Sequence, residues 1–407
     1  MSEPATSGPR RAALAFIFVT VLLDMLAFGM VIPVLPQLVV RFVGGDTARG
    51  AAIYGLFGTV FALMQFLFAP VQGALSDRFG RRPVVLLSNF GLGVDYAVMA
   101  LAPTLGWLFV GRVISGITSA SFSTAGAYIA DVMPPEKRAG GFGMLSVAFG
   151  IGFVLGPAVG GVLGTVHPRL PFWVAGGLSL LNAAYGFFVL PESLAVERRA
   201  RFDLRRANPV GALALLRSHP ELFALATANF LNYVAHDVQP STFVLYTSYR
   251  YAWDEGTVGL VLALVGVCSA IVGGALVQPI VNRFGERRVL LGGLFAGAVG
   301  FSIYGLAPSG GWFFCGIPVV ALWGLAFPAA QGLMTRHVSA SEQGQLQGAV
   351  TSLRGIAGLV APGLFTQTFA VFIAPERASA LPGAPFLLAA LLVLASMTLA
   401  WRATLSR

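Results

Sequence analysis

Two acids, Asp24 and Asp95, stand alone within long apolar stretches of the sequence. If each stretch is a helix crossing a bilayer, Asp24 lies roughly 20 Å from a helix entry near Arg11, and Asp95 lies about 18 Å from an entry at Pro83. A charge at such depth is costly and usually functional. A carboxyl group there can exchange a proton with either aqueous side as access alternates. Both acids are therefore candidate proton or cation sites, with a structural ion pair as the alternative.

Two arginines also fall inside apolar stretches. Arg112 lies roughly 10 Å from the outer end of its helix, so its long side chain could reach the interface. Arg354 lies near the middle of its stretch, too deep for that, and needs a partner. The candidate partners are Asp24, Asp95, Asp237 and an anionic group of a substrate.

Other polar residues in the apolar stretches are candidates for lining a substrate cavity. They are Gln65, Asn89, Asn229, Asn232, His236, Asp237 and Gln331. Each is equally well explained by a hydrogen bond to a neighbouring helix. Four aromatic residues either form walls for a planar ligand or simply pack in the core: Trp323, Phe327, Phe301 and Tyr304.

The composition indicates the kind of protein that positions these residues. Of 407 residues, 56% are hydrophobic and 11% are charged, whereas a soluble domain carries about 25% charged residues. Such a chain cannot cover a water-facing surface, so we expect an all-α membrane protein. The two cysteines, Cys268 and Cys315, lie in apolar stretches and are predicted to be buried, with no disulfide framework, metal site or cofactor.

A bilayer core about 30 Å thick requires roughly 20 apolar residues per helix. Twelve runs meet this requirement, and the first is too long and too polar for a removable signal peptide. The predicted transmembrane helices cover 13–36, 50–74, 83–102, 105–130, 140–164, 171–190, 220–246, 256–280, 288–307, 311–335, 345–373 and 382–402.

The net charge of +9 raises the possibility of nucleic-acid binding. With a cytoplasmic N-terminus, however, nineteen of the 26 lysines and arginines fall in cytoplasmic segments, five fall outside and two lie within helices. This asymmetry follows the positive-inside rule. It predicts that both termini are cytoplasmic, and it removes the reason to expect a nucleic-acid partner.

An internal repeat divides the chain. At a shift of 205 residues, Gly143 aligns with Gly348, Pro157 with Pro362, and the RFG of residues 78–80 with that of 283–285. The one long polar connection, 191–219, follows the sixth helix. We therefore predict an N-terminal six-helix bundle (1–190), a cytoplasmic linker (191–219) and a C-terminal six-helix bundle (220–407). A pseudo-twofold axis relates the bundles, and the substrate binds between them.

Three motifs resemble those of the major facilitator superfamily: GALSDRFGRRP at 73–83, VGRVISG at 110–116 and GFVLGPAVGG at 152–161. With VLLDMLAFGMVIPVLP, SNFGLGVDY, SEQGQLQG and the pairing of Asp24 with Asp95, the chain is similar to the tetracycline/proton antiporter branch. The resemblance implies that Arg112 couples protons, paired with Asp24 or Asp95. Reaching an interface remains the alternative for this arginine.

The resemblance also implies a cytoplasmic latch, in which Asp77 meets the start of the eleventh helix near Gly344. Asp131 is a candidate partner for one of the loop arginines, and Asn282 replaces Asp77 in the second repeat, so that latch should be weaker. The latch residues are Gly73, Asp77, Arg78, Gly80, Arg81, Arg82 and Asp131. The fifth-helix motif implies a hinge favouring export, with close packing as the alternative: Gly152, Gly156, Pro157, Gly160 and Gly161.

The chain departs from the resemblance in its second half. Tetracycline exporters carry a third acid in the ninth helix, where this chain has Gly297, and they appear neutral where it has Arg354. Losing an acid and adding a cation makes the cavity less attractive to a cationic metal–tetracycline chelate. At an effective dielectric near 20, two unit charges about 4 Å apart interact by some 4 kcal/mol, enough to alter selectivity.

These observations predict a proton-coupled exporter of a small amphipathic drug, tetracycline-like or other, working by alternating access in the inner membrane. The alternative is a proton-driven importer of an anionic or zwitterionic solute bound through Arg354. The expected partners are the lipid bilayer, protons and the substrate, and the chain is expected to be a monomer. A receptor would need long extramembrane segments, and an ATP-driven pump or an enzyme would need a P-loop, a metal cluster or a nucleophile–base pair.

Overall fold

The computed structural model describes residues 7–119, 121–200, 213–217, 220–339, 342–375 and 380–405. Over this part of the chain the regular structure is helical, without a strand. The helices are α1 (Ser7–Val31), α2 (Leu35–Phe42), α3 (Thr47–Phe79), α4 (Arg81–Leu101), α5 (Leu105–Thr118), α6 (Ser121–Val132), α7 (Arg138–Val166), α8 (Leu170–Val189), α9 (Ala214–Arg217), α10 (Pro220–His236), α11 (Val238–Tyr251), α12 (Glu255–Ile271), α13 (Val277–Phe284), α14 (Glu286–Leu306), α15 (Gly310–Leu322), α16 (Ala326–Thr335), α17 (Gln343–Phe372) and α18 (Ala384–Ala403). Within the predicted linker, residues 201–212, 218 and 219 lie outside the described residues.

Ten helical segments within the described residues are long and apolar enough to cross a membrane. Each coincides with one of the twelve predicted runs, and several are built from two helices that follow one another, as α12 and α13 do through a π-helical turn, Val272–Leu276. The prediction of an all-α membrane protein is confirmed, and the chain is a multi-pass membrane protein.

The other two predicted runs are interrupted. The run 105–130 contains α5 and α6, and the run 220–246 contains α10 and α11, which are separated at Asp237. Pro240 explains the second break, because a proline has no N–H to donate to the carbonyl of His236 in a continuous helix. The helical hydrogen bonds resume at Ser241, whose N–H donates to the Asp237 carbonyl at 3.1 Å.

The chain forms two compact units. The first contains Met1–Leu35, Leu63–Ala207 and Glu255–Ala263, and the second contains Pro36–Ala62, Asn208–Asp254 and Leu264–Arg407. Most of each predicted six-helix bundle falls in one unit. Two segments, Pro36–Ala62 and Glu255–Ala263, pack with the helices of the opposite sequence half. The predicted bundle boundaries stay a prediction.

The prediction that both cysteines are buried is wrong. Cys268 is partly exposed and Cys315 is exposed. Apolar residues on the outer surface of a membrane helix face lipid, so an apolar sequence context does not by itself indicate burial in such a protein.

Candidate functional site

Asp24 lies in the first unit, on α1, and is almost completely buried. The side-chain amide of Asn182, on α8, donates to Asp24 Oδ1 at 3.0 Å and to the backbone carbonyl of Thr20 at 3.1 Å. With its amide oriented to satisfy its neighbours, Asn89 on α4 donates to Asp24 Oδ2 at 3.1 Å. Two helices, α4 and α8, thus each supply a neutral amide donor to the carboxylate on α1.

Asp95, on α4 in the same unit, is fully buried. Its Oδ2 atom accepts a hydrogen bond from the hydroxyl of Ser115, on α5. Its Oδ1 atom accepts none from a described residue. A Cβ atom at Gly111 would lie 2.8 Å from that oxygen, so glycine here leaves room for it.

Arg112, on α5, is buried beside Asp95. Its Nη2 atom lies 3.8 Å from Asp95 Oδ2 and donates to the Ser115 hydroxyl at 3.0 Å. Of the two acids that the sequence leaves open as partners, the structure therefore places Asp95 next to this arginine. The Arg112 side chain is 10% exposed, so it is enclosed by the protein, and its reaching the membrane interface stays an untested alternative.

The loop between α3 and α4 is organised around Arg81. Its guanidinium group contacts Asp77 Oδ1 at 2.5 Å and Asp131 Oδ2 at 2.9 Å, and it donates to the Ser76 hydroxyl at 2.7 Å. Asp131 is thus the partner of a loop arginine. The predicted latch partner of Asp77, near Gly344, belongs to the other unit, and the latch stays a prediction.

Glu192, which the sequence analysis did not select, is a further member of this loop. Its carboxylate accepts hydrogen bonds from the backbone N–H groups of Arg81 at 2.8 Å and Arg82 at 3.3 Å, at the start of α4. Gly80 has φ of 108°, and a Cβ atom there would collide with the Glu192 carboxylate. The only sequence signal is an acid directly after the last residues of the sixth predicted helix.

The remaining loop residues make simpler contacts. Arg82 donates from Nη2 to the Phe187 carbonyl at 2.5 Å and covers the Phe187 ring at 5.7 Å. Arg78 covers the ring of its neighbour Phe79. The Gly73 carbonyl accepts a hydrogen bond from the Ser76 hydroxyl at 3.0 Å.

The glycines of the fifth-helix motif permit close contact between backbones. Cβ atoms at Gly152, Gly156 and Gly160 would collide with the backbone of α1, and a Cβ atom at Gly161 would collide with the start of α12. Pro157 lies within α7 between these contacts. Close packing accounts for all four glycines, and the hinge stays a prediction.

In the second unit, His236 and Asp237 lie at the junction of α10 and α11, next to two aromatic residues. The His236 ring centre is 5.7 Å from those of both Trp323 and Phe327, and these two are 5.2 Å from each other. The His236 Nδ1 atom lies 3.5 Å from Asp237 Oδ1. Asn232 accepts a hydrogen bond from the indole N–H of Trp323 at 2.7 Å.

The other predicted cavity residues divide between the core and the surface. Phe301 and Tyr304 are fully buried and pack against other rings, so they belong to the core. Gln65, in the first unit, donates to the Ser119 hydroxyl at 3.1 Å. Asn229 is buried, and Gln331 lies on α16.

Arg354, on α17 in the second unit, is exposed, and within the described residues it forms no ion pair. Gly358, one turn further along α17, approaches Asp237, since a Cβ atom there would lie 3.8 Å from Asp237 Oδ2. Asp237 and Arg354 therefore lie near one another without pairing.

Two further site residues were missed from the sequence. Ser115 follows Arg112 by three residues, a spacing that places both on one helix face and could have indicated their contact. Asn182 is a lone amide in an apolar helix, the same signal that selected Asn89.

Comparison with known proteins places the chain in a family. Residues 17–362 match the model of the Major Facilitator Superfamily, and residues 225–405 match it again. The tetracycline resistance protein, class C, of Escherichia coli is 40% identical over 358 residues, covering 88% of this chain and 90% of that protein. The class G protein of Vibrio anguillarum is 36% identical over 350 residues, covering 85% and 88%. The crystal structure of the human organic anion transporter MFSD10 (TETRAN) matches with a TM-score of 0.70 and 25% identity, covering 97% of this chain and 100% of that one. The chain belongs to the major facilitator superfamily.

Proposed function

We propose that the chain is a proton-coupled exporter of a small amphipathic drug, which works by alternating access in the plasma membrane with both termini cytoplasmic. The observation that carries the proposal is the pair of carboxylates buried among the helices of the first unit. Asp24 is held by two amides, and Asp95 contacts Arg112 and Ser115. Intramembrane acids of this kind mark proton relays.

The Asp95 site has an atom at which a proton can bind. Oδ2 already accepts from Ser115, whereas Oδ1 accepts no hydrogen bond from a described residue. Protonation at Oδ1 removes the negative charge that attracts Arg112. At an effective dielectric near 20 and about 4 Å, that attraction amounts to some 4 kcal/mol. The proton can therefore release Arg112 from Asp95 and bias the helices that carry them.

The relatives support drug export as the direction and the kind of substrate. Two of them, identical to this chain at 40% and 36%, are named for tetracycline resistance. Gly297 and Arg354 distinguish the chain from the acid-rich cavity expected for a cationic tetracycline chelate. We therefore propose a drug substrate without restricting it to tetracycline.

The first test is transport in everted membrane vesicles from a pump-deficient host. Tetracyclines, phenicols, macrolides and quinolones are screened, and the most strongly transported drug is then used. We expect a proton gradient to drive this drug into the vesicles through the unaltered protein. Asp24→Asn should insert normally and show no gradient-driven uptake, because it cannot bind and release the proton.

The matched control is Asp46→Asn, which alters an exposed acid and should transport normally. Gradient-driven uptake that survives Asp24→Asn contradicts proton coupling through this residue. Movement of the drug out of everted vesicles, with or without an accompanying proton, would indicate import and contradict the proposed direction.

A further inference from the structure

We infer that the second unit binds planar zwitterions, which it holds between an acid beside aromatic rings and a separate arginine. The zwitterion site consists of Asp237, His236, Trp323, Phe327 and Arg354. The inference rests on the proposed function, since it specifies the substrate class of the exporter. The cationic end of the ligand binds at Asp237 and the aromatic rings, and its anionic end binds at Arg354.

The aromatic part of the site is held in place. Trp323 is 3% exposed, and its indole N–H donates to Asn232 at 2.7 Å. Phe327 is one turn further along and is partly exposed, and its ring lies 5.2 Å from that of Trp323. Tyr233 stacks on Phe327 at 5.8 Å. Trp323 and Tyr233 thus hold the partly exposed ring of Phe327 in place, and a fixed ring suits a flat ring system and attracts a cation placed over it.

Asp237 supplies the acid for the cationic end. It immediately precedes α11, yet its carboxylate makes no capping hydrogen bond to the described amides of that helix. Its one ion-pair contact among the described residues is His236 Nδ1, at 3.5 Å, a long contact for a charge-assisted hydrogen bond. The side chains of Asp237 and His236 are 27% and 46% exposed, so both are accessible to a ligand.

Arg354 supplies the cation for the anionic end. It lies four residues before Gly358, so the two share one face of α17 and are roughly 6 Å apart along its axis. Gly358 is the point where α17 approaches Asp237 Oδ2. Arg354 thus lies one helical turn from the place where α17 approaches the acid, and no ion pair joins the two among the described residues. Charges inside membrane spans almost always pair or face a water-filled cavity, so two exposed and unpaired charges this close in the fold suit the two ends of a ligand.

Gly297, on α14, packs against Trp323 of this site. A Cβ atom at this position would lie 2.7 Å from Cγ of Trp323, so the glycine makes room for the indole. An acid here would require Trp323 to move. Glycine at this position therefore lets Trp323 sit where it contacts His236 and Phe327.

The test is equilibrium binding to the purified full-length protein in the presence of EDTA. The probes are norfloxacin, a planar zwitterion charged at opposite ends, its methyl ester, which is a cation, and N-acetylnorfloxacin, which is an anion. We expect norfloxacin to bind more tightly than either derivative by about tenfold or more, because each derivative loses one charge-assisted contact and such a contact changes affinity by about that factor.

Two variants separate the ends of the site. Arg354→Gln should bind norfloxacin only as well as the ester, and Asp237→Asn only as well as the N-acetyl derivative. Arg354→Lys should restore part of the preference, which excludes a loss caused by misfolding. Arg402→Gln, which alters an exposed arginine of α18, is the matched control and should bind as the unaltered protein does.

Equal binding of the three probes, an unchanged preference in both variants, or no binding of norfloxacin would each overturn the inference. The binding assay requires no proton gradient, so its result is independent of proton coupling. If another drug is exported in exchange for protons while norfloxacin fails to bind, only the zwitterion site is wrong. If norfloxacin binds as expected without gradient-driven transport, only the proposed function is wrong.

Discussion

The two units treat charges within their membrane helices in opposite ways. In the first, Asp24, Asp95 and Arg112 are buried, and the structure shows donors or a counter-charge against them. In the second, His236, Asp237 and Arg354 are partly or fully exposed, and Asp237 and Arg354 do not pair. A buried group can exchange a small ion only, whereas an exposed one can also contact a drug. We therefore propose that the first unit binds the proton and that the second recognises the drug.

The loops at the start of α4 and α14 show a second contrast. At the repeat shift of 205 residues, Arg81 corresponds to Glu286 and Asp131 to Arg336. Both positions form ion pairs, Arg81 with Asp131 at 2.9 Å and Glu286 with Arg336 at 3.0 Å. The repeat therefore keeps the ion pair, but the acid and the arginine exchange positions.

The reversal changes how each pair interacts with its helix dipoles. Glu286 begins α14 and Arg336 follows the last residue of α16. Each charge therefore interacts favourably with the dipole of its helix, by roughly 0.3–1 kcal/mol. Arg81 begins α4 and Asp131 is the next-to-last residue of α6, so each charge interacts unfavourably with the dipole of its helix. Glu192 offsets this by accepting from the first amides of α4. The first loop thus depends on a third partner.

The largest expected effect is a separation of transport from binding. Asp95→Asn should abolish gradient-driven drug transport, because an amide cannot bind the coupling proton, while norfloxacin binding is retained. Arg354→Gln should show the opposite pattern, in which the loss of norfloxacin binding is the primary defect. Both are measured on one preparation by vesicle uptake and equilibrium binding. Loss of binding in Asp95→Asn would contradict the division of roles.

A smaller effect is expected from Gly297→Ala. The added methyl group collides with the Trp323 ring, and overpacking of this kind costs about 1–3 kcal/mol. The variant should melt at a lower temperature and bind norfloxacin more weakly. Gly292→Ala, in the same helix but with open space around it, should be neutral or stabilising by up to about 1 kcal/mol. Equal behaviour of the two variants would refute the packing argument.

The smallest effect concerns the two loops. Glu192→Ala should destabilise the first loop by about 1–2 kcal/mol, since it removes a helix cap, and Glu286→Ala should cost below about 1 kcal/mol, as for a partly exposed ion pair. Hydrogen exchange at the amides that begin each helix, Arg81 and Arg82 in α4 and Arg287 and Arg288 in α14, provides the measurement. Exposed Glu136→Ala serves as the control. A larger loss from Glu286→Ala would reverse the comparison.

Much of the fold was predictable because the bilayer sets the length of each apolar run. Ten predicted runs coincide with helical segments, and Pro240 could have indicated the break at Asp237. The partner of Arg112 was not predictable, since sequence spacing gives the depth of a residue and not the neighbour it meets on another helix. Glu192 was missed for the same reason: it lies 111 residues from the amide it caps.

The central claim is that the drug moves in one direction while protons move in the other, and that the protons pass by way of the carboxylates of the first unit. It is tested most directly in proteoliposomes containing a pH-sensitive dye, to which a gradient of the transported drug is applied with the membrane potential clamped. We predict that the drug gradient drives protons the opposite way through the unaltered protein, and that the variant carrying both Asp24→Asn and Asp95→Asn moves none. Drug movement through the unaltered protein without any change in lumenal pH would contradict the account.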